Sequence, residues 1–324
     1  MEGQTVNTLR ARVAKTITTT VLLVALSACG GGGESAAAST SAANTSSNDT
    51  TTGVDFKAPK KVKAPSFNPK GAVTQNDGTI DTSSVNDGLV FAKATSKSRL
   101  KFTVTNGEMS YFYDLPSDGT PIACPINMGD GTYDFAIMRN TSGNNYVQAT
   151  AASAKVKLSS EFAPFLLPNL FCNYSNKSAC VKKARELVAD SKNVGDAVRA
   201  VCSYITQNVT YDSNKAKKLS TVTGYVPDPD DTFSTNTGIC FDYASLGAAM
   251  LRSVGVPTKI VTGYVSPNDL YHAWIMIYID GSWTSAKFEV DPLSWSRIDL
   301  TFGTDSGSEE LVGNGKSYTD RYVY

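Results

Sequence analysis

Between residues 71 and 160 apolar and polar side chains alternate with a period of two. Leu100-Lys101-Phe102-Thr103-Val104-Thr105 is one such run, and Asn106-Gly107 follows it. That pair suits a tight hairpin turn, because both residues tolerate positive φ. Tyr111-Phe112-Tyr113 continues on the far side, Asp118-Gly119 and Asp130-Gly131 mark further turns, and 133–138 and 146–150 read as more strands. Short strands at this spacing predict a small antiparallel β-sandwich. Beyond 160 the period changes. Pro164 and Pro168 interrupt regular structure, after which Val181, Ala184, Leu187 and Val188 predict a helix over 180–190. Val198, Val201, Cys202 and Ile205 predict another over 196–208. The polar, proline-containing stretch 213–237 reads as loop. Ile239, Tyr243, Leu246, Met250 and Val254 then predict a helix from near Gly238, ended by Gly255 and Pro257. Three strand-like runs follow at 258–265, 271–279 and 283–290, with Asp280-Gly281 as the turn between the last two. The expected fold class is α+β: a β-rich domain over 71–160, then a helix-and-sheet domain over 161–324.

The N-terminus follows neither period. Arg10, Arg12 and Lys15 precede the apolar run Val21–Leu26, which is too short for a bilayer span of ~20 residues. Leu26-Ser27-Ala28-Cys29 and four glycines come next. This resembles a bacterial lipobox, so 1–29 is expected to be a lipoprotein signal peptide, with Cys29 the lipid attachment site of the mature chain. An ordinary secretory signal cut near Ala28 is the plainer alternative. Residues 30–53 are almost all Gly, Ser, Ala, Thr and Asn, and Pro59, Pro65 and Pro69 follow among lysines. Such a segment buries too little apolar surface to offset the entropy of ordering, so 30–70 reads as a disordered tether. Together these place the body outside the cytoplasm, lipid-anchored to the cell membrane.

Charge narrows the partners. Lys plus Arg number 30 and Asp plus Glu number 30, so there is no positive surplus to neutralise phosphates and no nucleic acid partner is expected. The single histidine, His272, and the absence of a CxxC pair leave no metal site to propose, and no cofactor is implied.

The chemistry concentrates at Cys240. In Gly238-Ile239-Cys240-Phe241-Asp242-Tyr243-Ala244 the cysteine falls in the first turn of its helix. Unsatisfied amides and the positive end of the helix dipole favour a thiolate there. His272, in Tyr271-His272-Ala273-Trp274, opens the following strand and is the one available base. If 271–279 and 283–290 form a hairpin about Gly281, Asp291 in Asp291-Pro292 comes near the ring and can orient it. A buried apolar cysteine and a structural histidine are the bland alternatives.

These motifs, with Asn208-Val209-Thr210-Tyr211-Asp212 and Val261-Thr262-Gly263-Tyr264, resemble in order those of the transglutaminase-like superfamily over about 195–295. The resemblance implies a papain-like α+β domain, with Cys240 as nucleophile, His272 as base and Asp291 as orienter. It further implies action on amide bonds, by hydrolysis or by acyl transfer to an amine. The Cys240 backbone amide is the default oxyanion donor, and Gln207 and Tyr211 are side-chain candidates. The chain departs from the family pattern in Met276, in a longer spacing from His272 to Asp291, and in Leu293, where a small hydroxyl residue is usual.

Export permits disulfides. Cys172 and Cys180, close in sequence, are the first pair expected; Cys202 is either a buried thiol or bonded to Cys124. The expected function is an exported, membrane-anchored cysteine enzyme that cleaves or transfers peptide-type amides through a thioester. Its partners would be peptide or protein substrates, cell-envelope peptides among them. The alternative is a non-catalytic binding or scaffolding lipoprotein that retains the fold.

Overall fold

Alternation in the first half produces two four-stranded antiparallel sheets. In the computed structural model, residues 49–62, 64–266, 269–304 and 318–324 are described, and they fall within one compact unit, Ser46–Tyr324. The segment 1–29 with Cys29, and residues 30–48, lie outside the described residues. After a two-residue strand β1 (Thr50–Thr51) come β2 (Ala72–Gln75), β3 (Gly78–Asp81), β4 (Leu89–Ala94), β5 (Leu100–Asn106), β6 (Met109–Leu115), β7 (Ile122–Pro125), β8 (Gly131–Ser142) and β9 (Asn145–Val156). One sheet has the order β2-β3-β4-β7 and the other β6-β5-β8-β9. Phe102, Val104, Tyr113, Phe135 and Ile137 from the second meet Ile80, Val90, Ala92 and Cys124 from the first in one buried cluster. The β5–β6 hairpin pairs Asn106 with Met109 and turns at Gly107, whose φ is 60°.

The stretch before the sandwich is not a tether from residue 49 onward. Trp283 donates its indole N–H to Asp49 at 2.8 Å, Thr50 and Thr51 pair with Thr284 and Trp283, and Thr51 donates its hydroxyl to Asp196 at 2.6 Å. Phe56, Ala58 and Val62 pack on the core of the second half. The few apolar residues of this segment suffice because they join a surface already built by other elements. A Cβ on Gly281 would lie 2.4 Å from the Thr52 carbonyl, so glycine there is what admits the strand.

The second half holds α1 (Ala179–Leu187), α2 (Val194–Asn208), β10 (Thr210–Tyr211), α3 (Ser213–Leu219), α4 (Pro229–Thr235), β11 (Thr237–Gly238) and α5 (Cys240–Ser253). Strands β12 (Thr258–Val265), β13 (Leu270–Tyr278), β14 (Trp283–Thr284), β15 (Glu289–Val290), β16 (Trp295–Ile298) and β17 (Tyr318–Val323) follow. Helices α3 and α4 replace the loop expected over 213–237. Each is started by an aspartate: Asp212 accepts from the Lys215 amide at 2.8 Å, and Asp228 from the Asp230 amide at 2.9 Å. No residue of α3 is buried, so no apolar period announced it.

The main sheet has the order β16-β13-β12-β17, all antiparallel. The hairpin expected about Gly281 does not form. Residues 283–290 double back on themselves, β14 pairing with β15 and β1. Trp283, Phe288 and Val290 are drawn into the helical core, and Trp283 packs on Phe288 with centroids 5.1 Å apart. The strand that does join β13 is β16, with Ile275 opposite Ile298. Helix α5 lies against this sheet, and a Cβ on its Gly247 would sit 2.5 Å from Leu300 Cδ1. Buried Arg252, near the end of α5, donates to the carbonyls of Thr258, Leu167 and Tyr324, each at 2.8 Å. It thereby ties together the helix, the segment leaving the sandwich and the last strand.

Candidate active site

Cys240 is the first residue of α5 and is half-buried. The preceding turn is held by Asp242, whose Oδ2 accepts the Ile239 amide at 2.8 Å. That bond satisfies one of the orphan donors of the helix start. Asp242 is fully buried and also accepts from the Tyr225 hydroxyl and, at 2.7 Å, from the Lys215 ammonium. A buried carboxylate needs such partners. Here they come from α3 and the segment after it, so the stretch without an apolar period anchors the helix that carries the thiol. Tyr211 pairs with Gly238 in the short parallel β10–β11 contact, and Tyr243 donates to the Val209 carbonyl at 2.7 Å.

His272 lies on β13 opposite Gly263 and is 4% exposed. Its Nε2 is 2.8 Å from Asp299 Oδ2. Cys240 also acts on the ring, through its charge and a side-chain hydrogen bond. Burial alone would strip the proton from the ring. The Asp299 carboxylate and then the Cys240 sulfur outweigh it, and the pKa of His272 is raised to about 10. Asp299 is itself buried, which opposes ionisation. The His272 ring, the Tyr318 hydroxyl and the Phe302 amide overcome that and hold it below the ordinary carboxylate value. Its Oδ2 takes the Tyr318 hydroxyl at 2.7 Å, and its Oδ1 takes the amides of Thr301 and Phe302, both at 3.1 Å. Trp274 stacks on the imidazole at 6.2 Å and meets Tyr318 edge-on at 4.8 Å.

Asp291 is not part of this cluster. It is exposed in the turn between β15 and β16, with its amide on Ser296 Oγ at 2.9 Å. The excursion of 283–290 carries it away from the β13 edge, and Asp299, just beyond the end of β16, takes the place assigned to it. A signal for this was present. Asp299-Leu300-Thr301 has a small hydroxyl residue two positions after the acid, where Asp291 is followed by Leu293. Tyr318, from the last strand, had no signal of its own. Of the oxyanion candidates, Tyr211 lies within electrostatic reach of Cys240, and burial with that proximity raises its pKa. Gln207 is exposed at the end of α2 and makes no hydrogen bond to the site among the described residues.

Cys172 and Cys180 do not form the expected disulfide: Cys124, Cys172, Cys180, Cys202 and Cys240 are all free. Cys172 points its thiol at the Ser245 carbonyl (3.8 Å), and Cys180, the second residue of α1, donates its amide to Asp230 at 3.0 Å, so each is engaged by a different helix. Among the described cysteines Cys240 alone is partly exposed; the other four are buried.

A half-buried thiol at a helix start, a histidine beside it and a saturated acid behind the histidine make the constellation that nucleophilic acyl transfer requires. Residues 181–288 match the model of the transglutaminase-like superfamily. An uncharacterised protein of Bacillus subtilis is 27% identical over 147 residues, covering 39% of this chain and 19% of that protein. An uncharacterised protein of Mycobacterium leprae is 26% identical over 169 residues, covering 49% of this chain and 53% of its own length. The chain thus spans about a fifth and about half of the curated relatives it matches. Among solved structures, a candidate cysteine protease from Cytophaga hutchinsonii is 19% identical, with 73% of this chain and 83% of that one covered and a TM-score of 0.33. Red sea bream transglutaminase is 13% identical, with 66% and 48% covered and a TM-score of 0.30.

Proposed function

We propose that this chain is an exported, lipid-anchored cysteine enzyme that opens peptide-type amide bonds and passes the acyl group to water or to an amine. The observation that carries this is His272, buried between the Cys240 sulfur and an Asp299 carboxylate that has four donors. With its pKa near 10 the imidazole carries a proton at neutral pH. In the proposed cycle the Cys240 sulfur attacks the amide carbon, and His272 delivers its proton to the departing nitrogen. A thioester remains. His272, now neutral, takes a proton from water or an incoming amine, which attacks the thioester and regenerates the sulfur. Asp299 balances the ring's charge and fixes its orientation throughout. The Cys240 amide is the default donor to the oxyanion, with Tyr211 the nearer of the two side-chain candidates.

The test is iodoacetamide labelling of the folded protein, with peptide mapping and parallel assays of peptide-amide hydrolysis and amine incorporation. The expected result is one labelled thiol, Cys240, with both activities lost in proportion. Labelling without loss of turnover, or no labelling at all, would overturn the reading. The anchor is tested separately: Cys29→Ala should leave the protein unprocessed or released from the membrane. A mature N-terminus found elsewhere by mass spectrometry would remove Cys29 from the proposal.

A further inference from the structure

The last strand sends one side chain to the site. Tyr318 opens β17 opposite Val265, and Val265 is opposite Leu270, two residues before His272. Side chains alternate along a strand, so Tyr318, Val265 and His272 share one face of the sheet. On that face β12 contributes Gly263, directly opposite His272. A Cβ there would lie 2.9 Å from Trp274 Cη2, so the missing side chain makes room for the indole that Tyr318 meets edge-on at 4.8 Å. Arg297 of β16 covers the Tyr318 ring, with its guanidinium 3.9 Å from the ring centre.

These ring contacts would hold a phenylalanine equally well, so they do not explain the hydroxyl. It donates to Asp299 Oδ2 at 2.7 Å, the same oxygen that faces His272 Nε2 at 2.8 Å. The other oxygen, Oδ1, is occupied by the amides of Thr301 and Phe302. Phenol and imidazole therefore share one carboxylate oxygen. A second donor on that oxygen stabilises its negative charge and weakens its hold on the ring proton. Burial and the Asp299 charge raise the pKa of Tyr318 itself, so the hydroxyl stays a donor. The other titratable or charged groups facing this cluster among the described residues are Cys240 of α5, against His272, and Arg297, against the Tyr318 ring.

We infer that Tyr318 is a positioning residue, whose hydroxyl fixes Asp299 against His272 and keeps the carboxylate from holding the imidazolium proton too tightly to be delivered to a leaving group. The delivery rests on the amide-directed activity proposed above. The hold on the proton does not, and the test separates the two.

The chain has a single histidine, so isotopically labelled histidine gives one imidazole to follow by NMR. Its pH titration is run on the full chain carrying Cys240→Ala, which removes the coupled thiol, with and without Tyr318→Phe. Turnover is measured with Tyr318→Phe alone. That substitution should raise the pKa of His272 by about half to one unit, part of the strength of a charge-assisted hydrogen bond. It should lower kcat by about three- to tenfold with KM unchanged, because a more tightly held proton is a poorer acid. In an Asp299→Asn background Tyr318→Phe should no longer move the titration, since the hydroxyl acts through the carboxylate. A merely structural ring would leave the titration in place, because phenylalanine keeps the contacts with Trp274 and Arg297. An unmoved or lowered His272 pKa, an equal rise in the Asp299→Asn background, or a wild-type kcat in an active enzyme would overturn the inference. A raised pKa in a protein without amide turnover would uphold the hold of Tyr318 on the proton while removing the proposed activity.

Discussion

Asp299→Asn should lower amide turnover by about a thousandfold or more, while Asp291→Asn should remain within about twofold of wild type. The first replacement keeps a hydrogen-bonding group near His272 Nε2 but removes the charge that balances the imidazolium and favours the wrong tautomer. The second alters an exposed turn residue whose structural bonds are made by its backbone. Cys240→Ala and His272→Ala should be at least as damaging as Asp299→Asn, since general acid–base help is worth about 10²–10⁴-fold and the nucleophile is indispensable. Circular dichroism serves as the folding control. A well-folded Asp299→Asn with wild-type turnover would remove Asp299 from the relay, and a severe loss at Asp291 would restore the shorter spacing.

The same substitution has a pH signature. The folded-state pKa of His272, about 10, is above the ordinary 6.5. The stabilisation its proton contributes is complete below about pH 6.5 and is lost as pH rises through about 10. Asp299 works in the opposite sense: its pKa is depressed, so its contribution is present at neutral pH and is lost on acidification. Turnover should therefore have an alkaline limb near pH 10. Asp299→Asn removes the larger attraction for the proton and should move that limb to lower pH. An unmoved limb would show that another group controls it.

Asp242→Ala should destabilise the fold by about 3 kcal/mol and lower kcat by about ten- to a hundredfold at temperatures where the protein is still folded. The stability loss follows from stranding the Lys215 ammonium, the Tyr225 hydroxyl and the Ile239 amide, all of which converge on a fully buried carboxylate. The rate loss follows from the position of Ile239, one residue before Cys240: loosening that turn moves the sulfur, and a displacement of about 1 Å can cost about a hundredfold. Lys215→Met should be milder on both measures, because Lys215 is partly exposed and Asp242 would keep two of its donors. Urea unfolding and steady-state kinetics decide the matter. A wild-type unfolding midpoint for Asp242→Ala would mean that the network carries no stability.

Local pattern accounts for the parts of the protein made of neighbouring residues. Period-two runs and Asn106-Gly107 specify the β5–β6 hairpin because both strands and their turn are contiguous. Ile239, Tyr243, Leu246 and Met250 specify α5, and the helix start places Cys240 at its positive end without reference to the rest of the chain. His272 was legible because it is the one histidine and sits on a strand adjoining that helix. Alternation cannot say which strand joins β13. Both 283–290 and 295–298 are apolar enough, and the choice is made by Trp283 and Phe288 packing into the helical core and by Gly281 admitting Thr52. That choice exchanges Asp291 for Asp299. Tertiary structure likewise decides the roles of Tyr318 and Asp242, whose partners lie 19 and 27 residues away. Hydrogen bonds and charge pairs across such separations leave no period in the sequence. They exist only once the sheet has brought distant strands side by side.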